Sequence, residues 1–407
     1  MEYGLLGEKL GHSFSPQLHK ALAGYDYVLC PTPPDALREL FEQRQFLGLN
    51  VTIPYKQTVI PLCDEVDERA AAIGAVNTVV NRSGRLTGYN TDIDGLMYMA
   101  RRAGVTLAGK KVLILGSGGT SRTAQAAAKE LGAGEIVVIS RTGNDNYGNL
   151  HRHRDAEVII NTTPVGMFPH CGASPVDLEE FPHLTGLLDV VYNPLRTALF
   201  MQAEKRGIPC SCGLPMLAAQ ARRAAELFTG NKITDEKMEE GLSSLTRQLE
   251  NIILIGMPGC GKSTIGAQLA RRSGRKFIDL DTLIENQAGK PIPAIFKEDG
   301  EEAFRRLENQ CARDAGAENS AVISTGGGIV TREENYAPLH QNGVIVHILR
   351  DTEKLPRAGR PVSQSVDLDT LWQQRRRLYA EFADCTIDNN GPLPQTLDRL
   401  EKELTKR

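Results

Sequence analysis

The sequence predicts an α/β protein of more than one domain, and three observations carry that reading. Two segments share one order of apolar run, glycine-rich loop and helical pattern: Lys111-VLILGSGGTSRTAQ and Asn251-IILIGMPGCGKSTIGAQLA. Each can open its own unit, because a strand running through a tight loop into a helix is the repeating step of a parallel sheet. The third observation is length, since 407 residues exceed one ordinary core at roughly 100 to 200 residues per domain. Glycine points the same way: 39 of 407 lies above the usual ~7% and suggests loops that approach nucleotides closely.

Composition narrows the partners. A formal net charge of −3 and a pI near 6.3 supply no broad basic field for a nucleic-acid backbone, so none is expected. Small anionic substrates remain open, since they need only local charge. The eight cysteines have no C-x-x-C spacing, which reads as reduced thiols rather than a zinc site. The opening MEYGLLGEKLGHS lacks a basic n-region and a long apolar core. No stretch approaches the ~18 apolar residues of a membrane span. A cytoplasmic protein without a membrane partner is expected; oligomeric state stays open.

Along the chain, residues 1–100 form a block with their own strand signals, GLNVTIP and VNTVVN. Residues 101–204 follow as the first glycine-loop unit. The polar stretch 230–250 carries Ile233, Met238, Leu242, Leu245 and Leu249 near helical spacing and reads as a closing helix. The expected boundaries are 1–100, completed by about 205–246, then 101–204, and 247–407.

The rear loop, GMPGCGKS at 256–263, is a P-loop signature. Its glycines let backbone N–H groups wrap a phosphate, and the helix that begins near Lys262 points its positive end at the anion. Lys262 is expected on the outer phosphates of ATP and the Ser263 hydroxyl on Mg²⁺, with Gly259, Cys260, Gly261 and Thr264 completing the nucleotide contacts. Phe277-Ile-Asp-Leu-Asp281 reads as a second strand with Asp279 and Asp281 on one face, one serving Mg²⁺ and the other a hydroxyl acceptor. Taken alone, the pair reads equally well as two solvated acids. Arg305, on a helix beside Phe304 and Leu307, is available for a bidentate carboxylate pair; by itself it reads more readily as a surface residue. Ser324-Thr-Gly-Gly-Gly328 allows backbone amides close to a ligand.

On these motifs the rear segment resembles shikimate kinase. The family's D-x-D, G-E-x-x-F-R-x-x-E, T-G-G-G and R-P elements occur in order at Asp279/Asp281, 300–308, 325–328 and Arg360-Pro361. The resemblance implies an α/β/α parallel-sheet domain in which Lys262, Asp281 and Arg360 are catalytic. It places Asp281, Gly326, Gly327 and Gly328 on the acceptor, Arg305 and Arg375 on its carboxylate, and Asp279 with Ser263 at the metal. Arg375 is matched through R-x-x-L-Y, which otherwise reads as a solvated basic helix face. The lid LPRAGRPV is shorter than the family's longer forms, and Arg357 falls inside it.

The front loop fits two positions of G-x-G-x-x-G, at Gly116 and Gly118, with Ser121 in the third. Gly116, Ser117, Gly118, Gly119 and Thr120 are the candidates for a dinucleotide pyrophosphate. EIVVIS ends at Ser140-Arg141-Thr142, where an acid would serve the ribose of NAD; Arg141 with Thr142 favours the 2′-phosphate of NADP instead. Five clusters, at 11–16, 48–56, 74–78, 88–92 and 213–220, are rich in Ser, Thr, Asn and Gln, with one Lys and one Asp. That suits a cavity that hydrogen-bonds a polyhydroxy carboxylate and moves one proton.

These clusters resemble shikimate dehydrogenase over most of residues 1–246, which implies a substrate lobe and a Rossmann-like NADP lobe. By that resemblance Lys56 transfers the proton and Asp92 orients it. Ser13, Ser15, Thr52, Asn77, Tyr192 and Gln220 join them on the substrate, while Asn161 to Met167 line the nicotinamide side. No second basic residue follows Arg141-Thr142, and the next helix is expected to be abbreviated. The whole chain is therefore expected to be bifunctional, reducing 3-dehydroshikimate with NADPH and phosphorylating shikimate with ATP. The alternatives are one half serving as a ligand-sensing or scaffolding domain, or quinate and NAD in front with another small-molecule kinase behind.

Overall fold

Residues 112–115 and 252–255 are apolar at every position, and each run is a strand buried on both faces, as parallel strands covered by helices must be. The structure, a computed structural model, describes residues 2–11, 13–355 and 367–406. It divides into two units, Met1–Arg247 and Gln248–Arg407.

The first unit holds two sheets. One is mixed and comprises β1 (Tyr3–Gly7), β2 (Tyr27–Pro31), β3 (Gly48–Val51), β4 (Glu65–Val66), β5 (Thr78–Arg82) and β6 (Arg85–Tyr89). Its order is β2-β1-β3-β5-β6-β4, with β5 antiparallel to both β3 and β6. The other is parallel and comprises β7 (Lys111–Leu115), β8 (Glu135–Ile139), β9 (Val158–Asn161), β10 (Gly186–Asp189) and β11 (Cys210–Ser211). Its order, β11-β10-β9-β7-β8, reverses direction between β7 and β9. Ligands of doubly wound sheets bind at such a switch point, outside the carboxyl ends of the strands.

Between β8 and β9 the helix is abbreviated, as expected, to the 3₁₀ turn Tyr147–His153, and β8 lies at the sheet edge. The helices Asp92–Arg102 and Leu214–Thr229 pack closely because Gly95 has no side chain: a Cβ there would meet Met216 O at 2.6 Å. In the closing helix Asp235–Leu249, residues Met238, Leu242, Leu245 and Leu249 are all buried, on the face their spacing predicts.

The second unit has one parallel sheet of β12 (Asn251–Ile255), β13 (Lys276–Asp279), β14 (Ala321–Ser324), β15 (Gly343–Leu349) and β16 (Cys385–Asp388), ordered β13-β14-β12-β15-β16. The P-loop leaves the central strand. One expectation is corrected: β13 stops at Asp279, and Asp281 lies in the first turn of the helix Leu280–Ala288. Asp279 Oδ1 accepts from the backbone N–H of Asp281 and Thr282 at 3.1 and 3.4 Å. Aspartate's preference for the N-cap ends the strand two residues early, so the two acids do not alternate along one strand face. Among the described residues, no helix is long and apolar enough to cross a membrane.

Candidate active sites

In the first unit the chain leaves β3 through residues 52–56, and the Val76 N–H donates to Lys56 O at 2.7 Å, which fixes the lysine backbone. Asp92 is the first residue of the helix Asp92–Arg102, after the N-cap Thr91, where the partial positive charge of the helix end favours a carboxylate. Lys56 Nζ donates to Asp92 Oδ2 at 2.6 Å, and Asn77 Nδ2 donates to Oδ1 at 2.8 Å. With side chains 24% and 13% exposed, the pair is shielded yet still reachable by a ligand.

Lys56 and Asp92 line a cavity of about 230 Å³ together with Ser13, Ser15, Thr52, Asn77, Tyr192 and Gln220. All eight expected front-half substrate contacts thus converge. Asn50 joins them, accepting from Tyr27 Oη at 2.8 Å and donating to Thr78 Oγ1 at 3.0 Å. It stands inside the cluster at 48–56, but strand alternation by itself does not tell a cavity-facing Asn from a structural one.

Thr120 of the glycine loop reaches the same cavity. Gly116 has φ +104°, and a Cβ there would lie 2.9 Å from Thr162 Oγ1, whereas a Cβ on Gly118 or Gly119 would meet nothing. The loop after β7 is thus closed on the Thr162 side, where Thr162 Oγ1 donates to Leu115 O at 2.6 Å. It is open toward solvent at the start of the helix Gly119–Glu130. An open glycine edge at a helix N-terminus fits a dinucleotide pyrophosphate. Ser117, Arg141, Thr142 and Met167 are exposed and do not line the cavity that holds Lys56.

In the second unit Gly259 and Gly261 have φ +84° and +105°, which side-chain-bearing residues rarely adopt. Lys262 opens the helix Lys262–Ser273, and its Nζ donates to Gly256 O at 2.8 Å and Met257 O at 3.1 Å. The lysine is therefore folded into the loop that it would share with phosphates. Asn389 Nδ2 donates to Cys260 O at 2.7 Å and takes its orientation from Thr396 Oγ1 at 2.8 Å; nothing in the sequence pattern marks this clamp. Ser263 and Thr264 are exposed just inside the helix.

The acceptor residues gather on the glycine run after β14. A Cβ on Gly326 would lie 2.9 Å from Asp281 Oδ1, and one on Gly328 would lie 2.6 Å from Arg305 Nη1. Gly327 O accepts from Arg375 Nη1 at 2.9 Å and from Tyr379 Oη at 2.6 Å. Arg305 is buried, and its Nη1 donates to the buried Glu308 Oε2 at 2.7 Å. Burial pushes the Glu308 carboxyl up against the opposing pull of Arg305. Glu308 closes the G-E-x-x-F-R-x-x-E element, but only the fold shows it holding Arg305. Ser263 Oγ lies 3.2 Å from Ser324 Oγ; these hydroxyls and the Asp279 carboxylate are the hard oxygen donors that suit Mg²⁺. Arg357 and Arg360 lie outside the described residues.

Residues 5–79 match the family model described as shikimate dehydrogenase substrate binding domain. A shikimate dehydrogenase (NADP(+)) of Clostridium perfringens is 35% identical over 261 residues, spanning 59% of this chain and 96% of that protein. The chain belongs to the shikimate dehydrogenase family. A second family member, from Halothermothrix orenii, is 39% identical over 56% of this chain and 91% of its own length. A solved shikimate 5-dehydrogenase of Thermus thermophilus, in complex with NADP(H) and shikimate, superposes with a TM-score of 0.55. It has 34% identity over 60% of this chain and 99% of that one. Residues 258–405 match a different model, shikimate kinase. The chain thus joins a shikimate dehydrogenase to a shikimate kinase domain.

Proposed function

We propose that the chain catalyses two consecutive steps: reduction of 3-dehydroshikimate to shikimate with NADPH, then transfer of the γ-phosphoryl group of ATP to the shikimate 3-hydroxyl. The observation that carries the first step is the Lys56–Asp92 pair in a cavity walled by hydrogen-bonding side chains and reached by the glycine loop. Residues 1–100 with the helices after 205 serve as the substrate lobe, residues 101–204 as the NADP lobe, and residues from 247 as the kinase.

NADPH supplies the hydride when bound. Gly116 to Thr120 hold its pyrophosphate, Arg141 and Thr142 its 2′-phosphate, and Thr162 and Met167 its nicotinamide side. Lys56 Nζ gives a proton to the oxygen that becomes the new hydroxyl, and Asp92 aims it through the 2.6 Å hydrogen bond. Asn77 fixes the carboxylate. Ser13, Ser15, Thr52, Tyr192 and Gln220 bind the remaining hydroxyls and the carboxylate, a rigid frame that limits where the proton is delivered.

In the kinase, Asp281 takes the proton of the hydroxyl as it attacks phosphorus, and Arg305, positioned by Glu308, pairs with the substrate carboxylate alongside Arg375. Lys262 and Arg360 neutralise charge on the transferring phosphoryl group, and Ser263 and Asp279 hold Mg²⁺ directly or through water. No disulfide joins the eight cysteines, which supports a reducing, cytoplasmic setting.

Separate assays test the assignment. Lys56→Ala should abolish NADP⁺-dependent shikimate oxidation and leave phosphorylation intact, and Lys262→Ala should do the reverse. Loss of both activities in either variant contradicts independent sites. Parallel assays with quinate and NAD⁺ decide the front-half specificity, and a preference for NAD⁺ contradicts the role of Arg141.

A further inference from the structure

We propose that Asp189 is a positioning residue for the dehydrogenase half, tying the loop after β9 to the loop after β10 so that both present their cavity and cofactor residues together. This rests on the reading of that half as NADP-binding. Asp189 is the last residue of β10 and has no solvent exposure. A carboxylate so placed is costly unless its oxygens are satisfied, and here donors meet both. Oδ1 accepts from Asn161 Nδ2 at 2.9 Å and from the Val191 N–H at 3.1 Å, and Oδ2 accepts from Thr197 Oγ1 at 2.6 Å.

Each donor leads to a functional loop. Asn161, equally buried at the end of β9, uses its other atom, Oδ1, to accept from Thr163 N–H at 3.0 Å and Thr163 Oγ1 at 2.7 Å. That shapes the segment containing Thr162 and Met167. On the other side, Val190 and Tyr192 flank Val191 and line the cavity with Lys56. The Phe168 N–H donates to Asn193 O at 2.9 Å, which joins the far ends of the same two loops. Without Asp189, the amide of Asn161 and the hydroxyl of Thr197 are buried donors with no acceptor, and Asn161 is free to flip and release Thr163. A mere cap for the helix Ala198–Lys205 does not account for the arrangement, because Thr197 already caps it, accepting from Phe200 N–H at 3.1 Å.

Burial pushes the Asp189 carboxyl up to about 6 against the pull of its three donors. The titratable neighbour is Cys212, whose thiol burial pushes up, with the Arg196 guanidinium acting on Cys212 in the opposite sense. When protonated, the carboxyl turns an acceptor into a donor facing donors, so the tie loosens as pH falls through that value.

The test compares the full chain with Asp189→Asn by calorimetric NADP⁺ titration, by steady-state kinetics and by melting of the ligand-free protein across pH. Asp189→Asn should weaken NADP⁺ binding about tenfold at pH 8, the size of one or two lost hydrogen bonds to a charged group. It should raise the KM for shikimate by less, about two- to threefold, since Tyr192 is the one proposed substrate contact on the tied loops while Ser13, Ser15 and Gln220 lie on other elements. The melting difference between variant and parent should move in the variant's favour as pH rises from about 4 to about 6, where the parent ionises its buried carboxyl. If Asp189→Asn does not fold, Thr197→Val reports the same contact and should weaken NADP⁺ at least about threefold, with Thr197→Ser restoring it. NADP⁺ affinity unchanged in the variants overturns the proposal. Failure of the parent chain to bind NADP⁺ instead overturns the reading of the front half.

Discussion

Lys56 Nζ and Asp92 Oδ2 stand 2.6 Å apart although 36 positions separate them in the chain. The lysine is set by the segment after β3 and the aspartate by a helix N-terminus, and Asn77, just before β5, touches the carboxylate. Three segments separate in sequence thus make one proton-transfer group. Lys56→Ala should lower kcat for shikimate oxidation by about 10²- to 10⁴-fold, the usual worth of a positioned acid or base. Asp92→Asn should lower kcat less and leave NADP⁺ binding unchanged. NADPH formation and calorimetric titration check both.

Glu308 holds Arg305 in a buried pair at 2.7 Å. Removing Glu308 leaves the buried guanidinium only the exposed Glu301, 3.1 Å from Nη2, so Glu308→Ala should destabilise the kinase unit by about 3 kcal/mol. Any folded fraction should have a raised KM for shikimate and little change for ATP. Glu308→Gln, which keeps an acceptor oxygen, should recover most of the stability. Chemical denaturation and kinase kinetics measure both effects.

Asn389 grips Cys260 O from outside the phosphate loop. Asn389→Ala should leave that carbonyl without its donor and raise the KM for ATP by about three- to tenfold, one hydrogen bond's worth. The KM for shikimate should stay the same. Equal changes for both substrates would show that the contact supports the unit as a whole rather than the loop.

Two buried histidines predict acid sensitivity in both units. Burial pushes His19 down to about 3 and His347, helped by Lys262, down to about 4. A base whose folded pKa lies below its unfolded value binds more protons when unfolded, so its stability contribution is present above about 6.5 and is lost as pH falls toward 3 to 4. For His19 this amounts to several kcal/mol, at about 1.4 kcal/mol per unit. His19→Gln should flatten the decline of the first unit's stability between pH 6 and 4, as read by urea unfolding.

Much of this was legible before folding because phosphate loops and polar clusters are local: Gly256 to Ser263, Gly116 to Gly119 and the stretch 48–56 each state their chemistry within a few residues. That Ser13, Thr52, Asp92 and Gln220 share one cavity was legible from the composition of their clusters, whereas Tyr192 and the individual roles came only through family resemblance. Asp281 shows why strand ends mislead, since a carboxylate can either extend β13 or cap the next helix, and Asp279's side chain decides it. Glu308, Asn389 and Asp189 escaped notice because a buried polar residue that orients another has no motif of its own. Its partner is found only when the chain returns from elsewhere.

The most direct test of two linked activities in one chain is a coupled assay with 3-dehydroshikimate, NADPH and Mg-ATP, following shikimate and shikimate 3-phosphate over time. The parent chain should consume NADPH and accumulate shikimate 3-phosphate, Lys262→Ala should stop at shikimate, and Lys56→Ala should phosphorylate only added shikimate. NADPH consumption without phosphorylated product in the parent, or phosphorylation without reduction, would contradict the account.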